Sequence, residues 1–271
     1  MNLLHAILLA IIEGITEFLP ISSTGHMIIG STVLGIASDP FVKMFTVAIQ
    51  FGAILSVVVL YWKRFFQGIG LYKRLFIAFL PAALLGLLLK SHIDLLLENV
   101  LVVAVALIVG GIVFLWLDEY LRNSNAHETT LEDITPLRAF RVGLFQVVSM
   151  IPGVSRSAAT IIGGISQGLK PATAAEFSFL LAVPTMFAAT CKSMVDFFTE
   201  EGGSFHQDQL VLLLVGNLVA FIVAMMAIRS FIGYLNQHGF KVFGYYRIVV
   251  GTILLLCWAL GFFEGVTVGN F

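Results

Sequence analysis

Polar residues are scarce along this chain, and where they fall divides it. Six apolar runs, roughly 41–62, 75–89, 100–117, 172–191, 210–228 and 243–263, read as membrane-spanning helices, which need about 20 apolar residues to cross a bilayer core. The run over 75–89 is the weakest of them, being short and holding Pro81. Two further apolar segments, 3–36 and 140–169, are each broken near the middle by a polar cluster around a proline. In the first, Pro20 precedes Ser22-Ser23-Thr24-Gly25-His26; in the second, Pro152 precedes Gly153-Val154-Ser155-Arg156-Ser157. Each half is about 15 residues, or about 22 Å of helix, too short to cross comfortably. The pattern therefore predicts an all-α polytopic membrane protein: six transmembrane helices plus two re-entrant helical hairpins with polar tips.

Composition agrees with that class and excludes others. The 271 residues are 59% hydrophobic and 11% charged, with a mean hydropathy of +0.99, whereas a soluble domain is about 25% charged. A formal charge of -1 provides no global field for a polyanion, so a nucleic-acid partner is excluded and any anion site must be built locally. Cys191 and Cys257 both lie in apolar runs, which argues against a disulfide framework or thiolate metal site. The first 20 residues lack a positive n-region and carry Glu13 and Glu17, so they read as part of the mature protein and not as a signal peptide.

Lys and Arg in short loops set the expected orientation. Lys63, Arg64, Lys73 and Arg74 crowd one loop, and Arg229, Lys241 and Arg247 flank another, placing both inside. The 196–208 stretch, with Glu200 and Glu201 and no Lys or Arg, is expected outside. The connection over 118–141, with Arg122, Arg138 and Arg141 among five carboxylates, is assigned inside. On this scheme the first hairpin enters from outside and the second from inside.

Sliding the sequence on itself by 132 places Pro20 on Pro152, Ser23 on Ser155 and Phe45-Thr46 on Phe177-Ser178, with Pro40 and Pro171 one residue out of register. Each copy then holds one hairpin and three spans, residues 1–132 and 133–271 within one integral membrane domain. Three is odd, so the second copy is inverted. Inverted-topology repeats bring broken helices from opposite faces together near the midplane, which would bring both polar tips to one pocket.

Three groups of residues there carry chemistry. Glu13 and Glu17 are four apart and share a helix face; carboxylates at that depth need a cavity or a partner. They are either snorkelling interfacial residues, or a close pair in which one carboxyl works as acid or base or a cation sits between them. Ser22, Ser23 and Thr24 can cap the helix that follows, and that helix start is also an anion site. Ser23, with His26 three residues on and Glu17 six before, offers nucleophile, proton carrier and orienting acid. Arg156, between Ser155 and Ser157 in an apolar setting, needs an anion: either phosphate, which its planar fork suits, or a carboxylate such as Glu13 or Glu17. Thr173-Ala174-Ala175-Glu176 matches a capping box. His5, His92, His127, His206 and His238 have no partners at telling spacings.

Together, Glu13-x-x-x-Glu17-Phe18-Leu19-Pro20-x-Ser22-Ser23-Thr24-Gly25-His26 and Pro152-Gly153-x-Ser155-Arg156-Ser157 closely resemble the motifs of the undecaprenyl-diphosphate phosphatases, the bacitracin-resistance proteins. The stretch over 176–184 and the span pattern extend the likeness over nearly the whole chain; Ala158, where the family often has glycine, is a mild departure. The resemblance implies a multi-pass enzyme of the bacterial inner membrane, its active site opening to the outer face, that removes the terminal phosphate of a C55 polyprenyl diphosphate and so returns a lipid carrier to cell-wall synthesis. It also implies a divalent cation, Mg²⁺ or Ca²⁺, on Glu13 and Glu17, catalytic roles for Glu13, Glu17, Ser23 and His26, and diphosphate binding by Arg156 with Ser155, Ser157, Ser22 and Thr24. Ser23 is the first choice of nucleophile, with His26 or Glu17 taking its proton; His26 attacking directly, or activating water, is the competing assignment. The partners expected are the lipid and the bilayer, with a homodimer left open. The same architecture also suits a secondary transporter or flippase of polyprenyl phosphate lipids, since fold alone does not fix function.

Overall fold

The computed structural model describes residues 1–89, 93, 96, 99–122, 130–199 and 206–262. His92, His127, Glu200, Glu201 and the middle of the 118–141 connection lie outside the described residues. Ten α-helices are described: α1 (Leu3–Thr16), α2 (Ser23–Val33), α3 (Pro40–Leu60), α4 (Ile69–Leu88), α5 (Val100–Arg122), α6 (Pro136–Val148), α7 (Arg156–Ser166), α8 (Pro171–Thr199), α9 (Gln207–His238) and α10 (Lys241–Ala259). Six of them, α3, α4, α5, α8, α9 and α10, are long and apolar enough to cross a membrane. The four short ones form the two broken segments, α1 with α2 and α6 with α7.

Local sequence sets these boundaries. Asn2 caps α1 by accepting from the His5 amide at 2.9 Å. Asp39 caps α3 ahead of Pro40, and Thr135 caps α6 ahead of Pro136, so each proline occupies a first-turn position where its missing N–H is harmless. The weakest predicted span is a full helix of 20 residues that starts at Ile69, with Pro81 buried inside it. Helices α8 and α9 run to 29 and 32 residues, well beyond their apolar runs. Because α8 starts at Pro171, Thr173 lies within its first turn and Glu176 is not part of a capping box. The Glu176 carboxylate instead takes Nε and Nη2 of Arg64 at 2.7 and 3.4 Å.

Packing follows a repeating scheme. Helix α1 lies against α9, and α6 lies against α4, so the first helix of each broken segment packs on a long helix of the other half; α3 packs on α8, and α5 on α10. A Cβ on Gly14 would fall 2.9 Å from the Ala220 carbonyl oxygen, and one on Gly143 would fall 2.3 Å from that of Ala78. Small residues at such seams let helix backbones approach where lipid offers no hydrophobic drive. Large apolar side chains such as Leu214, Leu218 and Met226 of α9 face outward, the inverse of a water-soluble surface. The helix starts of the two broken segments, Leu3 and Pro136, and Ser23 and Arg156, are 133 apart, one more than the offset between Pro20 and Pro152.

Candidate active site

The two tips meet. Between α1 and α2 the chain turns at Glu17–Ser22, and between α6 and α7 at Ser149–Ser155. Ser22 and Ser155 have φ of 71° and 76°, and among the described residues no other non-glycine position has positive φ. Each caps the helix that follows: Ser22 Oγ accepts from the Gly25 amide at 3.4 Å, and Ser155 Oγ from the Ala158 amide at 3.3 Å. Strained backbone of this kind persists only where the surroundings over-determine it, and it concentrates at functional sites. Here the strain bends both chains so that the starts of α2 and α7 face one polar cavity of about 130 Å³. Its lining is Glu17, Ser22, Ser23, Thr24, Gln50, Ser149, Pro152, Gly153, Ser155, Arg156 and Met186.

Glu17 is the hub. Its Oε2 accepts from the Ser23 hydroxyl at 2.5 Å and its Oε1 from Arg156 Nη2 at 2.8 Å. Arg156 also donates through Nη1 to the Ser178 carbonyl at 3.1 Å and lies over the Phe18 ring, 5.5 Å from its centroid, while its buried Nε has no partner. The guanidinium is therefore fixed on two sides and retains a free donor. The carboxylate alternative for Arg156 is realised with Glu17, and the ion pair itself borders the cavity.

Glu13 sits one turn before Glu17, completely buried, and neither of its carboxylate oxygens has a hydrogen-bond partner. An orphaned carboxylate beside a second one fits a hard divalent cation. Among the described residues no group of three or more His, Cys, Asp or Glu forms a cage. The available donors are thus the two carboxylates, of which Glu17 lines the cavity; one or two carboxylates completed by substrate oxygens is the usual manner of Mg²⁺.

Not every predicted residue joins the cavity. His26 turns away: its Nδ1 donates to the Ser22 carbonyl at 2.7 Å, so in the neutral ring Nε2 accepts from the Tyr246 hydroxyl at 2.6 Å, and the two rings stack with centroids 5.6 Å apart. Neither nitrogen is left for Ser23, and the proton acceptor at that hydroxyl is Glu17. Ser157, expected to bind diphosphate, is fully buried outside the lining; it donates to the Leu19 carbonyl at 2.9 Å and bonds Ser155 Oγ at 2.9 Å, tying one tip to the other. Thr24, Ser22 and Ser155 do reach the cavity wall.

Arg247 was counted above as a loop cation and is fully buried. Its Nη1 donates to the carbonyls of Pro20 and Val154, each at 3.0 Å, its Nη2 to Gly153 at 2.9 Å and Ala106 at 3.1 Å, and its Nε to Leu107 at 3.4 Å. One guanidinium from α10 thereby fastens both tips to α5. A Cβ on Gly110 would fall 2.2 Å from Nη2, so only glycine leaves room for it. The sequence signal was available in part, since an arginine inside an apolar run needs partners, but its carbonyl partners have no sequence signature. Gln50, a polar residue within the first span, also lines the cavity and lies in neither sequence motif.

Fold and site together define a multi-pass membrane protein with an acid, hydroxyl and arginine centre enclosed by two broken helical segments. The chain belongs to the bacitracin resistance protein BacA family, whose model matches residues 6–253. It is 59% identical to an undecaprenyl-diphosphatase of Flavobacterium johnsoniae over 94% of this chain and 96% of that protein. It is 51% identical to one of Bdellovibrio bacteriovorus over the same shares, and 45% identical to one of Aquifex aeolicus over 92% of this chain and 96% of that protein.

Proposed function

We propose that this chain is an integral-membrane undecaprenyl-diphosphatase, which hydrolyses a C55 polyprenyl diphosphate to the monophosphate and phosphate, recycles the cell-wall lipid carrier and so confers bacitracin resistance. The family and the relatives' names support the activity; the single observation that carries the chemistry is the Ser23–Glu17–Arg156 chain of hydrogen bonds at the cavity.

Ser23 Oγ attacks the terminal phosphorus while Glu17 Oε2 takes its proton. The bond from phosphorus to the bridging oxygen breaks, and the polyprenyl monophosphate leaves. Water then cleaves the phosphoserine, releasing phosphate and restoring the hydroxyl. Arg156 holds non-bridging oxygens with the donors it can turn from Glu17, and the N-terminal turns of α2 and α7 add their positive dipole ends. Glu13 and Glu17 are the residues that would hold Mg²⁺ or Ca²⁺, which when bound offsets charge developing on the phosphate oxygens.

The same proposal places the protein in the bacterial inner membrane with the cavity opening to the outer face, and reads residues 1–132 and 133–271 as oppositely oriented copies. The reciprocal packing of α1 on α9 and α6 on α4 supports the duplication. The orientation rests on Lys63, Arg64, Lys73, Arg74, Arg229 and Lys241, without Arg247.

The test is phosphate release from undecaprenyl diphosphate by detergent-solubilised protein, where no membrane separates two sides. Release by the native chain that disappears in Glu17→Ala is expected. No release, with movement of the lipid across vesicles, would replace the enzyme by a transporter.

A further inference from the structure

The proposed reaction has two steps, and Glu17 plays opposite parts in them. When Ser23 attacks, Glu17 takes its proton; when the phosphoserine is cleaved, the Ser23 oxygen is the leaving group and needs that proton back. Glu17 Oε2, 2.5 Å from Ser23 Oγ, is placed to return it and is the acid of the second step. In-line displacement brings the attacking water to the face of phosphorus away from Ser23, where a carboxyl engaged with Ser23 does not hold it. Another group has to orient that water.

The cavity lining offers one. The Ser22 and Ser155 hydroxyls accept from the backbone amides they cap, the Ser149 hydroxyl donates to the Gln146 carbonyl at 2.6 Å, and Arg156 has donors alone. Thr24 adjoins Ser23 on the first tip, the leaving-group side. Gln50 differs in both respects. It enters the lining from α3, outside either tip, and its half-buried carboxamide makes no hydrogen bond with another described residue. One carboxamide provides both functions needed: its oxygen accepts from a water, and its NH₂ donates to a phosphoryl oxygen.

The backbone carrying Gln50 is held on two sides. Two residues on, the Gly52 amide donates to Asn217 Oδ1 of α9 at 2.7 Å, and a Cβ on Gly52 would fall 2.2 Å from the Asn217 carbonyl oxygen. Phe51 between them lies against Phe187 of α8, the ring centroids 6.3 Å apart. These contacts fix the rotation of α3 about its axis and so which residue it turns to the cavity. The cavity of about 130 Å³ is several times what a water needs, about 10–15 Å³.

We infer that Gln50 is the water-positioning residue of the second step. This deepens the proposed phosphatase activity and rests on its phosphoserine intermediate. Water held by the Gln50 carbonyl attacks phosphorus, the bond from phosphorus to Ser23 Oγ breaks, Glu17 returns its proton to that oxygen, and the remaining water proton leaves on the phosphate. No strong base is required, because phosphoryl transfer through a loose transition state depends mainly on positioning and charge.

The experiment follows the label on Ser23. Native chain, Gln50→Met and Gln50→Leu are loaded in detergent with a polyprenyl diphosphate labelled in its terminal phosphate and chased with excess unlabelled substrate, and phosphoserine is measured after acid quench. In both variants label should appear within about threefold of the native rate. It should then disappear at least about tenfold more slowly, as misplacing a reactant costs up to about 10²-fold. Tm should not change, because Gln50 bonds no described protein group. Native rates of appearance and disappearance in both variants would overturn the assignment. Equal slowing of the two steps would overturn it in favour of a phosphate ligand, and a fall in Tm in both variants in favour of a structural role. The underlying reading fails differently: phosphate release by the native chain with no label on Ser23 would refute the covalent step and Gln50's part with it, and no release at all would refute the phosphatase.

Discussion

Glu17 and Ser23, six residues apart across a helix break, are joined by a 2.5 Å hydrogen bond at the wall of the polar cavity. In the proposed mechanism this bond sets the direction of proton transfer, since a carboxylate can only accept from the hydroxyl. Positioned general bases contribute about 10²–10⁴-fold. Glu17→Gln, which preserves shape and removes the base, should lower kcat at least about 100-fold, as measured by steady-state phosphate release from protein of unchanged thermal stability.

His26 has both ring nitrogens engaged outside the cavity, one of them by Tyr246. Residues that act as a bonded pair show coupling of about 0.5–3 kcal/mol in double-mutant cycles. His26→Ala and Tyr246→Phe should therefore be non-additive in thermal unfolding. Additivity, with the whole effect of His26→Ala appearing in kcat, would return the histidine to the chemistry.

Arg247 satisfies five backbone carbonyls from a fully buried position. Breaking such a buried charged network costs about 3–5 kcal/mol. Arg247→Lys keeps the charge but has one nitrogen where the guanidinium uses three. It should lower Tm and kcat together, and Gly110→Ala, which intrudes on the same guanidinium, should reproduce the effect in weaker form.

Glu13 has no protein donor, which makes it the residue most dependent on an added cation. Chelation should abolish phosphate release, and readdition of Mg²⁺ or Ca²⁺ should restore it. In Glu13→Ala the cation concentration giving half-maximal rate should rise at least about tenfold, the effect reported for loss of groups that support a metal site. A titration of rate against free Mg²⁺ checks this.

The architecture was legible because a bilayer imposes a simple rule, long apolar runs to cross and polar breaks where the chain turns back. Even the doubtful 75–89 run resolved as a helix, since neighbours accommodate Pro81. The motif also located Glu17, Ser23 and Arg156 together. What spacing could not supply was direction. His26 lies one turn after Ser22 and Ser23, yet a positive φ at Ser22 turns the start of α2 so that the ring meets α10. Ser157, expected as an anion ligand, lies outside the cavity lining, its hydroxyl bonded to the Leu19 carbonyl and to Ser155 Oγ. Arg247 was misread as a loop charge because its partners are carbonyls from three separate segments. The helix starts of the two segments differ by 133 where the prolines differ by 132, because the prolines, the easiest residues to align, are not the caps.

The central claim is that Ser23, served by Glu17, receives the phosphoryl group. Rapid acid quench during turnover of substrate labelled in the terminal phosphate, followed by peptide mapping, tests it most directly. The label is predicted on Ser23, accumulating while phosphate release lags; label on His26 would contradict it.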